Sequence, residues 1–357
     1  MTTDYKKIVI KIGSNVLTRE DGLLDMSRMA HLTGQIATWR KQGIEIILVS
    51  SGAVASGRGV IALPEKTDAV SRRQIWAALG QVKLMQTYNE LLALHGTICS
   101  QVLVTKDDFR DRLHYINIRN CFSALLQHNI LPIVNENDVV SVTELMFTDN
   151  DELAGLIATM IDADALIILT NVDGIYNGNP NDAQTCVIKT IESSGEVAKY
   201  ITTEKSNFGR GGMLTKVNIA QKVAKLGIAV HLANGKKNDI LSLILQGNAE
   251  GTFFKPQRKT DKIKKWIAYN DGFTKGIVYV NDGAKKVLLS DKAHSLLPIG
   301  ITKIEGEFEK GDIIRLLDSQ NKLLGLGMAQ YSSEKAHEKV GKQKQTPLVH
   351  YNYLVIV

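Results

Sequence analysis

Three glycine-bearing stretches of the 357-residue chain combine residues suited to holding an anion: Lys11-Ile12-Gly13-Ser14, Ser50-Ser51-Gly52-Ala53 and Gly209-Arg210-Gly211-Gly212-Met213-Leu214-Thr215-Lys216. Glycine lets backbone N–H groups approach an oxyanion closely, and a following helix adds the positive end of its dipole. Each stretch also has an ordinary reading as a turn into a helix. Lys11 interrupts an otherwise apolar run, KIVIKI, where a buried ammonium needs a partner; the alternative is an edge strand with the amine in solvent. Two acid-amide clusters complete the set, Asn135-Glu136-Asn137-Asp138 and Thr148-Asp149-Asn150-Asp151-Glu152. Their residue types suit an ammonium group, or a carboxylate held by amide donors, and equally suit turns and helix caps. Asp149 or Asn150 can be cap and ligand at once. The chain holds no G-x-x-x-x-G-K-[ST], H-R-D or D-F-G, which excludes P-loop NTPases and protein kinases, and no G-x-G-x-x-G follows its first strand, which excludes a dinucleotide-dependent oxidoreductase.

The elements that carry these residues alternate. Lys7 to Ile12 reads as a strand, Met26 to Gln42 as a helix and Ile44 to Ser50 as a continuous apolar strand. Helical stretches precede further strands at Thr97 to Val104, Ile130 to Asn135 and Ala165 to Thr170, and helices are expected over Leu153 to Ile161 and Val217 to Leu226. Continuous apolar strands between helices imply a mainly parallel sheet covered on both faces, with ligands bound at the carboxyl ends of the strands. After residue 254 the texture changes to short strands, at Gly276 to Val280, Lys286 to Leu289, Ile301 to Glu307, Ile313 to Leu317, Leu323 to Ala329 and Val349 to Val357, with one helical piece at Ser332 to Val340. The expected organisation is an α/β domain over 1–254, a basic linker over 255–275 and a small, mostly β domain over 276–357.

Composition agrees with two globular domains: the chain is 44% hydrophobic and 22% charged. The net charge of +6 is uneven, since seven basic residues against two acids fall between Lys255 and Lys275, a run that reads as a solvated connector. Three widely separated cysteines, Cys99, Cys121 and Cys186, argue against a disulfide framework or structural zinc and fit a reducing cytoplasm. Neither a signal peptide nor a membrane span is expected.

Taken in order, the three glycine stretches, the two acid-amide clusters and Leu169-Thr170-Asn171-Val172-Asp173-Gly174-Ile175-Tyr176 resemble the glutamate 5-kinases of the amino acid kinase family, and residues 276 to 355 resemble the PUA domain often appended to them. The resemblance implies an amino acid kinase fold followed by a PUA-like barrel, and ATP-dependent phosphorylation of the γ-carboxylate of L-glutamate, the first step of proline synthesis. It implies Mg²⁺ carried by ATP with no separate metal site, feedback inhibition by proline, and a homo-oligomer, dimer or tetramer. By position, Lys11, Lys216 and Asp151 would be catalytic, Asp151 organising the lysines. Ser51, Asp138 and Asn150 would bind glutamate. Lys11, Gly13, Thr170, Asn171 and the segment Arg210, Gly211, Gly212, Met213, Leu214, Thr215 and Lys216 would line the nucleotide site. Asn171 stands where Asp is common in the family, and Arg210 where Thr is.

The chemistry agrees with this assignment. Bringing ATP to a carboxylate joins two anions, so the site needs cations and oriented N–H donors more than a base. A carboxylate is already ionised at neutral pH, which accounts for the lack of a histidine among the motifs. Sister kinases of acetylglutamate, aspartate, carbamate or UMP are the nearest alternatives. An RNA-binding role for the PUA-like part is poorly supported, because residues 276–357 carry 11 basic and 9 acidic residues.

Overall fold

The computed structural model describes residues 4–141, 149–178, 184–192, 212–247, 251–257, 262–269, 274–290 and 294–356. Two compact units emerge, one of Met1–Phe109 with His114–Lys259 and one of Thr260–Val357 with Arg110–Leu113. In the first, strands β1 (Lys7–Ile12), β2 (Glu45–Ser50), β3 (Cys99–Val104), β4 (Leu131–Glu136), β5 (Ala165–Thr170), β6 (Thr190–Ile191), β7 (Ala229–Asn234) and β8 (Thr252–Phe254) form one sheet. Its order is β3-β4-β2-β1-β5-β7-β8-β6, and every pairing is parallel except β7 with β8. The helices are α1 (Ser14–Leu17), α2 (Met26–Lys41), α3 (Ala53–Arg58), α4 (Ala69–Ala93), α5 (Asp107–Arg110), α6 (Arg112–Gln127), α7 (Asn150–Met160), α8 (Met213–Lys225) and α9 (Ile240–Leu245).

β1 lies between β2 and β5, so its residues are buried on both faces, and that is why Lys7 to Ile12 reads as a nearly unbroken apolar run. Its even-numbered isoleucines enter a core with Leu32, Ile36, Trp39, Leu84, Tyr88 and Ile167. Lys11 is therefore in a central strand, and the edge-strand alternative is wrong. Two helices start earlier than their apolar periodicity suggests. α7 begins at Asn150, because the Asp149 side chain accepts from the N–H groups of Asp151 and Glu152 and caps it. α8 begins at Met213, which places Lys216 inside the helix's first turns and not ahead of it.

α4 is the longest helix, capped by Asp68, whose carboxylate accepts from Ser71 N–H. It packs on α3 at backbone distance. A Cβ on Gly80 would stand 1.8 Å from the carbonyl oxygen of Ala53, and one on Gly57 would stand 2.0 Å from that of Trp76, so both positions require glycine.

The second unit holds α10 (Lys262–Tyr269), β9 (Gly276–Val280), α11 (Asp282–Leu288), β10 (Ile301–Glu305), β11 (Ile313–Leu317), β12 (Leu323–Ala329), α12 (Ser333–Lys339) and β13 (Val349–Ile356). Its sheet runs β10-β9-β11-β12-β13, antiparallel except for β9 with β11. Two expectations are corrected here. The stretch read as a solvated linker contains α10, with Trp266, Ile267 and Tyr269 buried, and packs on β12 and β13: its basic residues hid an amphipathic helix. Lys286 to Leu289, read as a strand, lies mostly in α11, because Asn281 accepts from Ala284 N–H as a cap and Lys285 and Lys286 suit the helix's carboxyl end. Among the described residues, no helix is long and apolar enough to cross a membrane.

Candidate active site

The polar ends of β1, β2, β4 and β5 converge with the amino ends of α7 and α8. At the centre is Asp151, fully buried, one residue into α7. Its Oδ1 lies 2.6 Å from Lys11 Nζ and its Oδ2 lies 2.6 Å from Lys216 Nζ, so one carboxylate bridges the middle strand of the sheet to helix α8. Burial raises the Asp151 carboxyl, and the charges of Lys11 and Lys216 more than reverse this, holding it well below the usual carboxylate range. The arrangement fixes two ammonium groups on one carboxylate in a water-poor site.

Asp149, the cap of α7, behaves oppositely. Its Oδ1 accepts from Asp151 and Glu152 N–H, while its buried Oδ2 accepts no hydrogen bond among the described residues, and Lys216 Nζ stands 3.9 Å away. Burial and then the Asp151 charge push its carboxyl up to about 6.

Beside this charged centre lies an amide cluster. Asn150 Nδ2 donates to Ser51 Oγ and to Asn135 Oδ1, each at 3.0 Å. Ser51 precedes Gly52, whose φ of 110° is left-handed and turns the end of β2 into α3. Asp138, beyond β4, is held by Arg73 of α4 through two guanidinium hydrogen bonds, one of them 3.2 Å from Nε. α4 makes two more such contacts: Gln81 Oε1 accepts from Asn135 Nδ2 at 3.0 Å, and Tyr88 OH lies 2.7 Å from Ser50 Oγ.

On the other side of β1, Gly13 N–H donates to Leu169 O and ties the end of β1 to β5, where Thr170 and Asn171 follow. Asp173 accepts from Asn234 Nδ2 at 2.9 Å and pairs with Lys237 at 3.3 Å. Gly212 precedes α8, and Met213, Leu214 and Thr215 form its first turn ahead of Lys216.

Residues 6–234 match the Amino acid kinase family and residues 276–348 match the PUA domain. The chain belongs to the amino acid kinase family. A glutamate 5-kinase of Bacteroides thetaiotaomicron is 52% identical over the whole of both chains, and one of Chlorobaculum tepidum is 49% identical over 99% of this chain and 98% of its own. Among solved structures, a carbamate kinase from Giardia lamblia bound to AMP-PNP shares the fold with a TM-score of 0.52 at 18% identity, covering 71% of this chain and 99% of its own.

Within this amino acid kinase, the structure brings together Lys11, Asp151 and Lys216, and groups Ser51 with Asn150. Thr170, Asn171 and Gly13 sit at the adjacent strand ends, and Asp138 is engaged by Arg73. Arg210 and Gly211 lie outside the described residues. Sequence reasoning missed Arg73, Gln81, Tyr88 and Lys237. The first three are spaced along a long helix whose polar residues look like an ordinary solvated face, so only the fold reveals that they turn inward. Asp149 was legible as an acid at a helix start.

Proposed function

We propose that this chain transfers the γ-phosphoryl group of ATP to the γ-carboxylate of L-glutamate, giving γ-glutamyl phosphate and ADP, the first step of proline biosynthesis. The observation that carries the reading is the Lys11–Asp151–Lys216 bridge set directly against the Asn150–Ser51 amide cluster, in a chain 52% identical to a glutamate 5-kinase over its full length. A γ-carboxylate oxygen forms a bond to the γ-phosphorus as the bond to the β,γ-bridging oxygen breaks, and the electron pair leaves on ADP. No proton need be removed, because the nucleophile is already ionised.

Lys11 and Lys216 stabilise the charge that spreads over the transferring group, and Asp151 holds both ammonium groups in register. Both carboxylate oxygens of Asp151 are engaged by lysines, and Mg²⁺ carried by the triphosphate would supply charge neutralisation on the phosphates. Thr170, Asn171, Gly13 and the segment from Arg210 to Lys216 serve the nucleotide. Ser51, Asp138 and Asn150 serve glutamate, whose ammonium group is complemented by the Asp149 carboxylate, its buried Oδ2 accepting no hydrogen bond among the described residues. A cytoplasmic homo-oligomer under feedback by proline completes the proposal, and the free cysteines Cys99, Cys121 and Cys186 fit that compartment.

Coupled ADP release with ATP and Mg²⁺ tests the reading, comparing L-glutamate with acetylglutamate, aspartate, carbamate and UMP. Glutamate-dependent release is expected, with hydroxylamine trapping the acyl phosphate as a hydroxamate. Faster turnover of any other acceptor would overturn the substrate assignment.

A further inference from the structure

A backbone N–H cannot act as an acceptor, and one such group fixes the polarity of every amide in the cluster beside Asp151. Glu136 N–H donates at 2.9 Å to the side chain of Asn135, so the atom facing it must be the carbonyl oxygen, Oδ1. Asn135 Nδ2 then points to α4, where it needs an acceptor, and Gln81 supplies Oε1 at 3.0 Å. Since Asn135 Oδ1 is an acceptor, the Asn150 atom that meets it must be the amide nitrogen. Asn150 Nδ2 has two hydrogens, and both are committed at 3.0 Å, one to Asn135 Oδ1 and one to Ser51 Oγ, with Ser50 O a longer contact at 3.4 Å. Asn150 Oδ1 accepts nothing from the described residues.

We infer that Gln81 is a positioning residue for acceptor recognition: by accepting from Asn135 Nδ2 it holds in place the amide whose polarity Glu136 N–H sets, and so keeps the Asn150 carbonyl oxygen unengaged by the described residues, so that Asn150 reads an N–H donor of the acceptor, its ammonium group, and not a carboxylate. The inference rests on the assignment of Asn150 to the acceptor site. It resolves the choice left open by the sequence, where an Asn beside acids suits either group. Gln81 and Asn135 are both buried, so loss of the Gln81 oxygen leaves the Asn135 amide hydrogens without an acceptor in a dry setting. A reversed Asn135 would set its nitrogen against Glu136 N–H and against the Asn150 amide, and the Asn150 orientation would lose its support.

Three proteins measured for KM, kcat and Tm test this: Gln81→Met, Asn150→Ala and the double variant. Gln81→Met keeps the bulk and removes the acceptor oxygen. It should raise KM for glutamate by about tenfold, as loss of one hydrogen bond to a charged group does, and leave KM for ATP within about twofold. In the Asn150→Ala background the same substitution should change KM for glutamate by less than about twofold, because it acts only through that amide. Glutarate, which has the two carboxylates of glutamate and no ammonium, should be used equally poorly by the parent and by Gln81→Met. Gln81→Glu retains an oxygen at the same place and should keep KM for glutamate within about threefold, and it carries the test if Gln81→Met does not fold. Additive effects in the double variant, a Gln81→Met protein with parental KM, or a folded Gln81→Glu protein whose KM rises tenfold would overturn the inference alone. An Asn150→Ala protein with unchanged KM for glutamate would overturn the acceptor assignment and the inference with it.

Discussion

Replacing Asp151 by Asn removes one negative charge from between two ammonium groups and leaves the shape in place. Lys11 and Lys216 each lie 2.6 Å from a different oxygen of that fully buried carboxylate. The variant holds two cations on a neutral amide, and stripping one partner from a buried pair costs about 3–5 kcal/mol. With about 2–4 °C per kcal/mol for a unit of this size, Tm measured by calorimetry without nucleotide should fall by roughly 10 °C. The lysines lose their alignment, so kcat should fall by about 100-fold or more. An incoming triphosphate replaces the missing negative charge, and the Tm rise on adding ATP with Mg²⁺ should be larger in the variant than in the parent. Burial raises the Asp151 carboxyl and the two lysines depress it further than burial raises it, so its folded value is the lower one. Its stability contribution is therefore complete above the unfolded value of about 4 and is lost as pH falls further. Parent and variant should differ by a constant amount from about pH 5 upward and converge in acid. A folded Asp151→Asn protein with parental Tm and kcat within about threefold would refute the account of Asp151 as the clamp on both lysines.

Lys216→Met should lower kcat by about 100-fold with the fold intact by circular dichroism, and a near-normal kcat would remove Lys216 from the transferring phosphoryl group. Asp149 must be ionised to meet an ammonium group, and burial followed by the Asp151 charge raises it to about 6, so KM for glutamate should climb as pH falls through that value. Asp149→Asn should raise KM and flatten this pH profile; an unchanged profile would show that another group titrates. A chain ending at Lys259 should fold, since Gln257 N–H still bonds Ala224 O within the first unit, and should phosphorylate glutamate within about tenfold of the full chain. A soluble, cooperatively melting truncation without kinase activity would show that the second unit completes the site.

The strands were readable because burial on both faces leaves little choice of residue: Lys7 to Ile12 and Ala165 to Thr170 match their apolar runs to the residue. Lys11 was readable for the same reason, as a charge in a place that tolerates none without a partner. Helix starts were harder. Asn150 and Met213 begin helices ahead of the apolar periodicity, since capping by Asp149 and the turn at Gly212 are local backbone events that a pattern of core residues does not register. α10 was hidden by its lysines, whose net charge outweighs in composition the apolar face that Trp266, Ile267 and Tyr269 bury. The α4 contacts were beyond reach of the sequence, because Arg73, Gln81 and Tyr88 meet partners 38 to 65 positions away.

Backbone contact between α3 and α4 at Gly57 and Gly80 has a bearing on how such a site changes over evolutionary time. The turn at Ser51 and Gly52 is bolted to the helix that also grips Asp138, Asn135 and Ser50, so the recognising groups share one rigid mount. Trimming or enlarging a single lining residue alters one contact and leaves the mount where it was. Shifting the mount itself would require the two helices to part, and neither glycine can accept the first carbon of a side chain without that parting. Single substitutions in this chain therefore tune individual contacts to the acceptor, while the spacing between those contacts stays set by the helix pair.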